Sequence, residues 1–273
     1  MLKGKSAVIY GVSDSMGGAI AKAFAAQGAA LYLTALDIEK AQKIANEIKA
    51  AGGIALAAQV DALDPEAVKR HLDHLIAKGN HLDISFNLID VKATQNIPLI
   101  EMELSDFLRP VEIAMKTQFI TATAAGRIMK KQGYGTIISL TATPGGIGYP
   151  MVGGFGPACT AMEAFTSGLA SEIGPYGVRV VTIRSAGSPD SKAFKEALKN
   201  GNPDMAGIME RMKADTMLKT MPMMKDIANT AVFLASDMAG MITGVVIDVT
   251  AGTTAALNHR VPPADKKKQQ ISH

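Results

Sequence analysis

Short runs of apolar residues alternate along the chain with segments in which apolar residues recur every three or four positions. The short runs predict buried strands at 7–10, 30–35, 54–60, 84–89, 135–140, 178–183 and 245–249. The periodic segments predict helices at 19–30, 38–51, 65–78, 105–131, 157–173 and 227–235. This alternation favours an α/β fold with a single doubly wound parallel sheet and helices on both of its faces.

Two segments interrupt the alternation. Residues 141–156 are rich in glycine, and residues 188–224 are rich in methionine. The last sixteen residues, 258–273, are polar and include three consecutive lysines, so we expect a tail there. The pattern therefore predicts one domain over residues 1–257, followed by that tail.

Composition narrows the functional classes. Hydrophobic residues make up 48% of the 273 residues and charged residues 19%, which excludes a disordered chain. No apolar run reaches the roughly 18 residues that a membrane span needs, and the first residues resemble no signal peptide, so we expect a cytoplasmic protein without membrane partners. The net charge of +3 is too small to favour nucleic acid, and the single Cys159 excludes an internal disulfide.

The first strand leads into a glycine-containing turn, Gly11-Val12-Ser13-Asp14-Ser15-Met16-Gly17, and then into a helix. A strand, a glycine turn and a helix in this order present backbone N–H groups and the positive end of a helix dipole to a pyrophosphate. The turn therefore predicts a dinucleotide site, although an ordinary strand–helix turn would have the same pattern.

The chain resembles the short-chain dehydrogenase/reductase family over about residues 3 to 255. Five segments in the family's order carry the resemblance, namely Gly11-x-x-x-Ser15-Met16-Gly17, Val60-Asp61, Gly177-Val178-Arg179-Val180, Asp226-Ile227-Ala228 and Ile242-Thr243-Gly244. The resemblance implies a Rossmann-type domain that binds NAD or NADP. It implies that the cofactor contacts Gly11, Ser13, Ser15, Met16, Gly17, Leu36, Asp37, Asp61, Ala62 and Asn87.

The resemblance fails at the family's catalytic positions. The family's Tyr and Lys correspond to Phe155 and Cys159, its Ser to Ala142, and its Asn to Ala114. Hydride transfer at an alcohol carbon needs an acid or base at the neighbouring oxygen, and none of these four side chains can serve. We therefore expect an atypical enzyme that does not run the family's standard alcohol–ketone mechanism.

Three hydroxyl groups are the candidates to replace the missing acid. Tyr149 precedes Phe155 in the glycine-rich segment, and Thr141 and Thr143 follow the fifth strand. They could donate hydrogen bonds to a developing enolate, or they could be a loop aromatic and two ordinary strand-end residues. Cys159 is expected to be a small buried hydrophobe rather than a nucleophile, and we predict no metal site.

The cofactor is predicted to be NAD or NADP, with a preference for NAD. The resemblance places Ala35 and Leu36 at the adenosine ribose, with Asp37 next to them. It places Asp14 where NADP enzymes tend to carry a basic residue. A carboxylate would repel a 2′-phosphate. Asp37 could equally be the N-cap of the helix that begins at Ile38.

Two functions remain open. The first is an NAD(P)-dependent oxidoreductase that acts on a partly apolar carbonyl or a conjugated double bond, with residues 188–224 as its methionine-rich substrate lid. The second is a dinucleotide-binding protein without hydride chemistry that serves as a partner subunit or a sensor. The resemblance also implies a homodimer or homotetramer formed through the helices at 105–131 and 157–173.

Overall fold

The computed structural model describes residues 1–199 and 205–256. The predicted tail at 258–273 lies outside these residues, and so do residues 200–204 of the methionine-rich segment. Within the described ranges, the strands are β1 Ser6–Tyr10, β2 Ala30–Ala35, β3 Ile54–Gln59, β4 Ile84–Asn87, β5 Gly135–Ala142, β6 Val178–Ser185 and β7 Val246–Val249. The helices are α1 Met16–Ala26, α2 Ile38–Ala50, α3 Pro65–Ala77, α4 Leu104–Gln132, α5 Phe155–Ile173, α6 Lys192–Lys199, α7 Met205–Ala214 and α8 Met224–Ala235.

The seven strands form one parallel sheet in the order β3-β2-β1-β4-β5-β6-β7. Apolar side chains of α1, α2 and α8 pack on one face of the sheet, and those of α3, α4 and α5 pack on the other. The predicted α/β fold, a single doubly wound sheet with helices on both faces, is confirmed. Because β1 pairs with both β2 and β4, the order reverses at β1, and ligands bind at such a point beyond the carboxyl ends of the strands.

The predicted starts of three helices were wrong by two or more residues. Helix α8 begins at Met224 rather than at residue 227, and the other two errors matter for the site. Helix α1 begins at Met16 rather than at residue 19. Its first turn was not predicted because Gly17 and Gly18 have low helix propensity. Helix α5 begins at Phe155 rather than at residue 157. Phe155 is therefore the first residue of a helix and not a residue of the preceding loop.

Candidate functional site

A cavity of about 220 Å³ lies at the carboxyl ends of β4, β5 and β6, against α4 and α5. Its lining is largely apolar, with a few polar side chains among the apolar ones. The described residues that line it are Asn87, Leu88, Ile89, Asp90, Val91, Ala114, Thr117, Leu140, Thr141, Ala142, Phe155, Ala158, Cys159, Met162 and Ser185. The four residues that the sequence analysis aligned with the catalytic positions, Ala114, Ala142, Phe155 and Cys159, thus meet in one cavity.

Cys159 lies one helical turn after Phe155 and is 2% exposed. Burial, opposed in part by a hydrogen bond with the backbone of Ala142, raises the pKa of its thiol to about 11. The thiol therefore stays protonated at neutral pH, because only a lowered pKa would supply a thiolate. Cys159 behaves here as a small, neutral, weakly polar side chain.

Glu163 follows Cys159 by one more turn of α5 and forms a largely buried ion pair with Arg184 of β6. Nη2 of Arg184 lies 2.5 Å from Oε2 of Glu163, and Nε donates to Oε1 at 3.0 Å. The two side chains are 9% and 13% exposed. On its other side Arg184 donates from Nη1 to both carboxylate oxygens of Asp248 at 3.2 Å. These contacts join α5, β6 and β7 at the carboxyl edge of the sheet.

The glycine-rich segment lies directly on this ion pair. A Cβ on Gly145 would come within 2.4 Å of Oε1 of Glu163 and 3.0 Å of Cβ of Cys159. A Cβ on Gly146 would come within 2.6 Å of Nη1 of Arg184. The absence of side chains at these two positions therefore lets the backbone of the loop approach the buried charges.

The three hydroxyl candidates have different surroundings. Thr141 lines the cavity and donates its proton to Oε1 of Glu163 at 2.7 Å. Thr143 is buried behind it and donates to the carbonyl oxygen of Ser185 at 3.3 Å. Tyr149 is 42% exposed in the glycine-rich loop and is not among the described residues that line the cavity. The structure therefore brings only Thr141 into the cavity wall, and there its proton is already engaged.

Asn87 ends β4 and ties it to α4. Its amide group donates to Oγ1 of Thr117 at 3.4 Å and to Oε1 of Gln118 at 3.3 Å, while its carbonyl accepts from the backbone of Ile89 at 3.0 Å. Asn87 is 6% exposed and Gln118 is 1% exposed. These bonds hold the end of β4 in place beside the cavity.

The phosphate-loop candidate lies beside this cavity, because β1 and β4 are neighbours in the sheet. Gly11 has φ of +78°, and a Cβ on it would come within 2.6 Å of the carbonyl oxygen of Leu88. Ser15 is the N-cap of α1 but makes no capping hydrogen bond with its side chain. The first turn of α1 thus has no side-chain cap from Ser15, and the geometry fits a pyrophosphate received by the N-terminus of the helix.

The family model described as "Enoyl-(Acyl carrier protein) reductase" matches residues 11–254 of the chain. This match spans the phosphate loop, the cavity and strands β2 to β7, and it begins directly after β1. The chain belongs to the short-chain dehydrogenase/reductase family.

Relatives within this family are oxidoreductases. A probable 2,4-dienoyl-CoA reductase of Caenorhabditis elegans is 28% identical over 92% of this chain and 81% of its own length. The structure of an NAD⁺-bound xylitol dehydrogenase matches with a TM-score of 0.85 at 23% identity, over 92% of this chain and 99% of the other. A gluconate 5-dehydrogenase of Burkholderia cenocepacia in complex with NADP and tartrate matches with a TM-score of 0.84 at 23% identity, over 94% and 97%. At this identity the two structures show the shared fold.

The adenosine half of the cofactor is predicted to lie at the end of β2, where this chain has several charged groups. Oδ1 of Asp37 accepts from the backbone of Glu39 at 3.1 Å, so Asp37 caps α2, and Oδ2 lies 3.3 Å from Nζ of Lys40. Nζ of Lys43 lies 2.8 Å from Oδ2 of Asp14, and this hydrogen bond lowers the pKa of Asp14. Lys43 offsets the charge of Asp14, which weakens the argument for NAD from the sequence.

Asp61, the predicted adenine contact, follows β3 and uses one carboxylate oxygen within the fold. Oδ1 accepts from the backbone of Leu63 at 2.9 Å. Ala62 is buried next to it, and Leu36 is 57% exposed at the end of β2. Ser13, Met16 and Gly17 lie in the phosphate loop and the first turn of α1. The predicted contacts therefore follow the carboxyl ends of β1 to β4, and their binding of a cofactor stays a prediction.

Sequence reasoning missed Glu163 and Thr117. Glu163 lies four residues after Cys159 on the same face of the helix, and this spacing is the signal that could have found it. Arg184 was visible only as a polar residue near the end of a strand. Among the described residues, no group of three or more His, Cys, Asp and Glu could hold a metal ion, and no helix is long and apolar enough to cross a membrane.

Proposed function

We propose that this chain is an atypical NAD(P)-dependent reductase of a partly apolar, conjugated double bond or carbonyl, working without a Tyr-x-x-x-Lys pair. The observation that carries the proposal is the wall of the cavity, where Ala114, Ala142, Phe155 and Cys159 meet. None of these side chains can exchange a proton with a carbonyl oxygen near neutral pH, since burial raises the pKa of Cys159 to about 11. The match to an enoyl reductase family model and the dienoyl-CoA reductase among the relatives support the same reaction class.

Reduction of a conjugated double bond suits such a cavity. A bound nicotinamide cofactor would supply the hydride to the β-carbon, and the protein would stabilise the carbonyl oxygen as an enolate. A proton from solvent would then complete the product at the α-carbon. Tyr149 is the candidate donor to that oxygen, because Thr141 and Thr143 would first have to release their bonds to Glu163 and Ser185. The apolar lining excludes water and orients the hydrocarbon part of the substrate.

The test is the consumption of NADH and NADPH with matched pairs of unsaturated and saturated carbonyl compounds. We expect turnover of enones, enals or enoyl thioesters and none of the saturated ketones. Tyr149→Phe should slow the reaction by roughly 10²-fold while leaving dinucleotide affinity unchanged, as for the loss of one donor to an oxyanion. Equal turnover of saturated ketones would contradict the proposal.

The second candidate, a dinucleotide-binding protein without hydride chemistry, is favoured by the engagement of Thr141 and Thr143 in the fold. It predicts that NAD or NADP raises the melting temperature while no carbonyl, enone or imine consumes the reduced cofactor. Gly11→Val is the control for either candidate. Its side chain would meet the carbonyl of Leu88, so cofactor stabilisation should disappear.

Assembly, location and the substrate lid belong to the same proposal. Exposed Phe119 of α4 lies 6.2 Å, centroid to centroid, from Phe165 of α5, on the surface predicted to pair two copies. Helices α6 and α7 occupy the predicted lid segment. We expect a cytoplasmic homodimer or homotetramer, and light scattering at micromolar concentration tests the assembly.

A further inference from the structure

The hydroxyl groups around the cavity already donate hydrogen bonds to acceptors within the protein. Thr117 donates to the carbonyl of Ile113 at 2.8 Å, and Ser185 donates to the carbonyl of Thr141 at 3.1 Å. Thr141 donates to Glu163 at 2.7 Å. A hydroxyl has one proton and two lone pairs, so each of these groups can only accept a further hydrogen bond.

The other polar side chains of the lining have the same property. Both N–H groups of Asn87 are used, one by Thr117 and one by Gln118. Asp90 accepts a bond from the backbone of Lys92 at 3.1 Å, and a carboxylate is an acceptor only. The thiol of Cys159 is the remaining polar hydrogen among the described lining side chains, and it is a weak donor.

The buried ion pair fixes the direction of the bond at Thr141. Arg184 donates to both carboxylate oxygens of Glu163, so the carboxylate is an acceptor in this pair. Thr141 is the donor in its bond to Oε1 of Glu163, and Glu163 acts as a positioning residue. A ligand at Thr141 therefore meets lone pairs rather than a proton.

We infer that the cavity recognises a ligand through a neutral hydrogen-bond donor, a hydroxyl or an N–H group, which is accepted by Oγ1 of Thr141. This inference rests on the proposed function only in taking that ligand to be the substrate. The carbonyl of a conjugated substrate would then face away from Thr141. The substrate class becomes an unsaturated carbonyl compound with a hydroxyl or N–H group at its other end.

The test compares cyclohexanol with cyclohexanone, which have the same ring but differ in donating or accepting at the oxygen. Affinities are measured by ligand-observed NMR titration of the full chain. We expect cyclohexanol to bind roughly five- to tenfold more tightly, as for one net hydrogen bond. Thr141→Val should bring the ratio to about one, and Thr141→Ser, which keeps the hydroxyl, should restore it.

Thr121→Val is the matched control, since Thr121 is buried in α4, bonds the carbonyl of Thr117 at 2.7 Å and is outside the described lining. It should leave the ratio unchanged. Equal or tighter binding of cyclohexanone, a ratio that persists in Thr141→Val, or no binding of either compound overturns the inference. Turnover of enones together with equal affinities for cyclohexanol and cyclohexanone would overturn the inference alone. The expected affinity ratio without consumption of the reduced cofactor would overturn the proposed function alone.

Discussion

Replacing Glu163 by Gln should destabilise the fold more than any exposed charge substitution. The change removes the negative partner from a pair whose side chains are 9% and 13% exposed, so Arg184 loses the carboxylate that offsets its burial. Removing one partner of a buried pair costs about 3–5 kcal/mol. Arg184 keeps two contacts of 3.2 Å to the partly exposed Asp248, which places the expected loss near the lower limit, about 3 kcal/mol.

The measurement is urea unfolding at pH 7, with the melting temperature as a second readout. A loss of this size corresponds to a fall of roughly 6 to 12 °C for a chain of this length. Asp73→Asn is the control, because Asp73 and Lys69 form a pair at 2.6 Å with side chains 58% and 64% exposed. Such a pair contributes about 0–1 kcal/mol. A loss below about 1 kcal/mol in Glu163→Gln at an unchanged m-value would refute the reasoning.

Three further predictions concern the same structure. Gly145→Ala should lower the unfolding free energy by about 1–3 kcal/mol because its Cβ would meet Glu163, whereas Gly148→Ala, with no described atom within 4 Å, should be neutral in the same urea titration. Cys159, with its pKa raised to about 11 by burial, should resist iodoacetamide at pH 8 until urea unfolds the chain, as followed by mass spectrometry. Burial lowers the pKa of His71 from 6.5 to about 4, so on acidification the unfolded chain binds a proton before the folded chain does. The free energy of unfolding should therefore fall as the pH is lowered from about 6.5 to about 4. His71→Leu should remove about 1–3 kcal/mol of that loss, and an unchanged pH dependence of urea unfolding would contradict it.

The sheet could be predicted because its inner strands are apolar runs that are largely buried on both faces. Strand β2 was predicted at the residues where it occurs, since its side chains contact helices on either side. The start of α1 could not be predicted, because Gly17 and Gly18 are poor helix formers and tertiary packing determines where this helix begins. A Cβ on Gly18 would come within 3.0 Å of the side chain of Ile44 in α2.

The site was predictable in its location and not in its hydrogen bonds. Thr141 was a candidate because the predicted strand ends just before it, although β5 includes it. The acceptor of its hydrogen bond is 22 residues away on a helix. Arg184 and Glu163 are likewise separated by 21 residues and meet only because α5 packs against β6. Periodicity places a residue on a face, whereas the direction of a hydrogen bond depends on which charged group the fold brings to it.

The position of Cys159 gives this protein an internal spectroscopic reporter. It is the only thiol in the chain, it is buried, and it forms part of the cavity wall. The stretching vibration of an S–H group absorbs in an infrared window in which other protein groups are silent, and its frequency responds to a nearby hydrogen-bond acceptor. A molecule that enters the cavity should therefore change one isolated band, so occupancy can be followed in the unlabelled wild-type chain and without turnover.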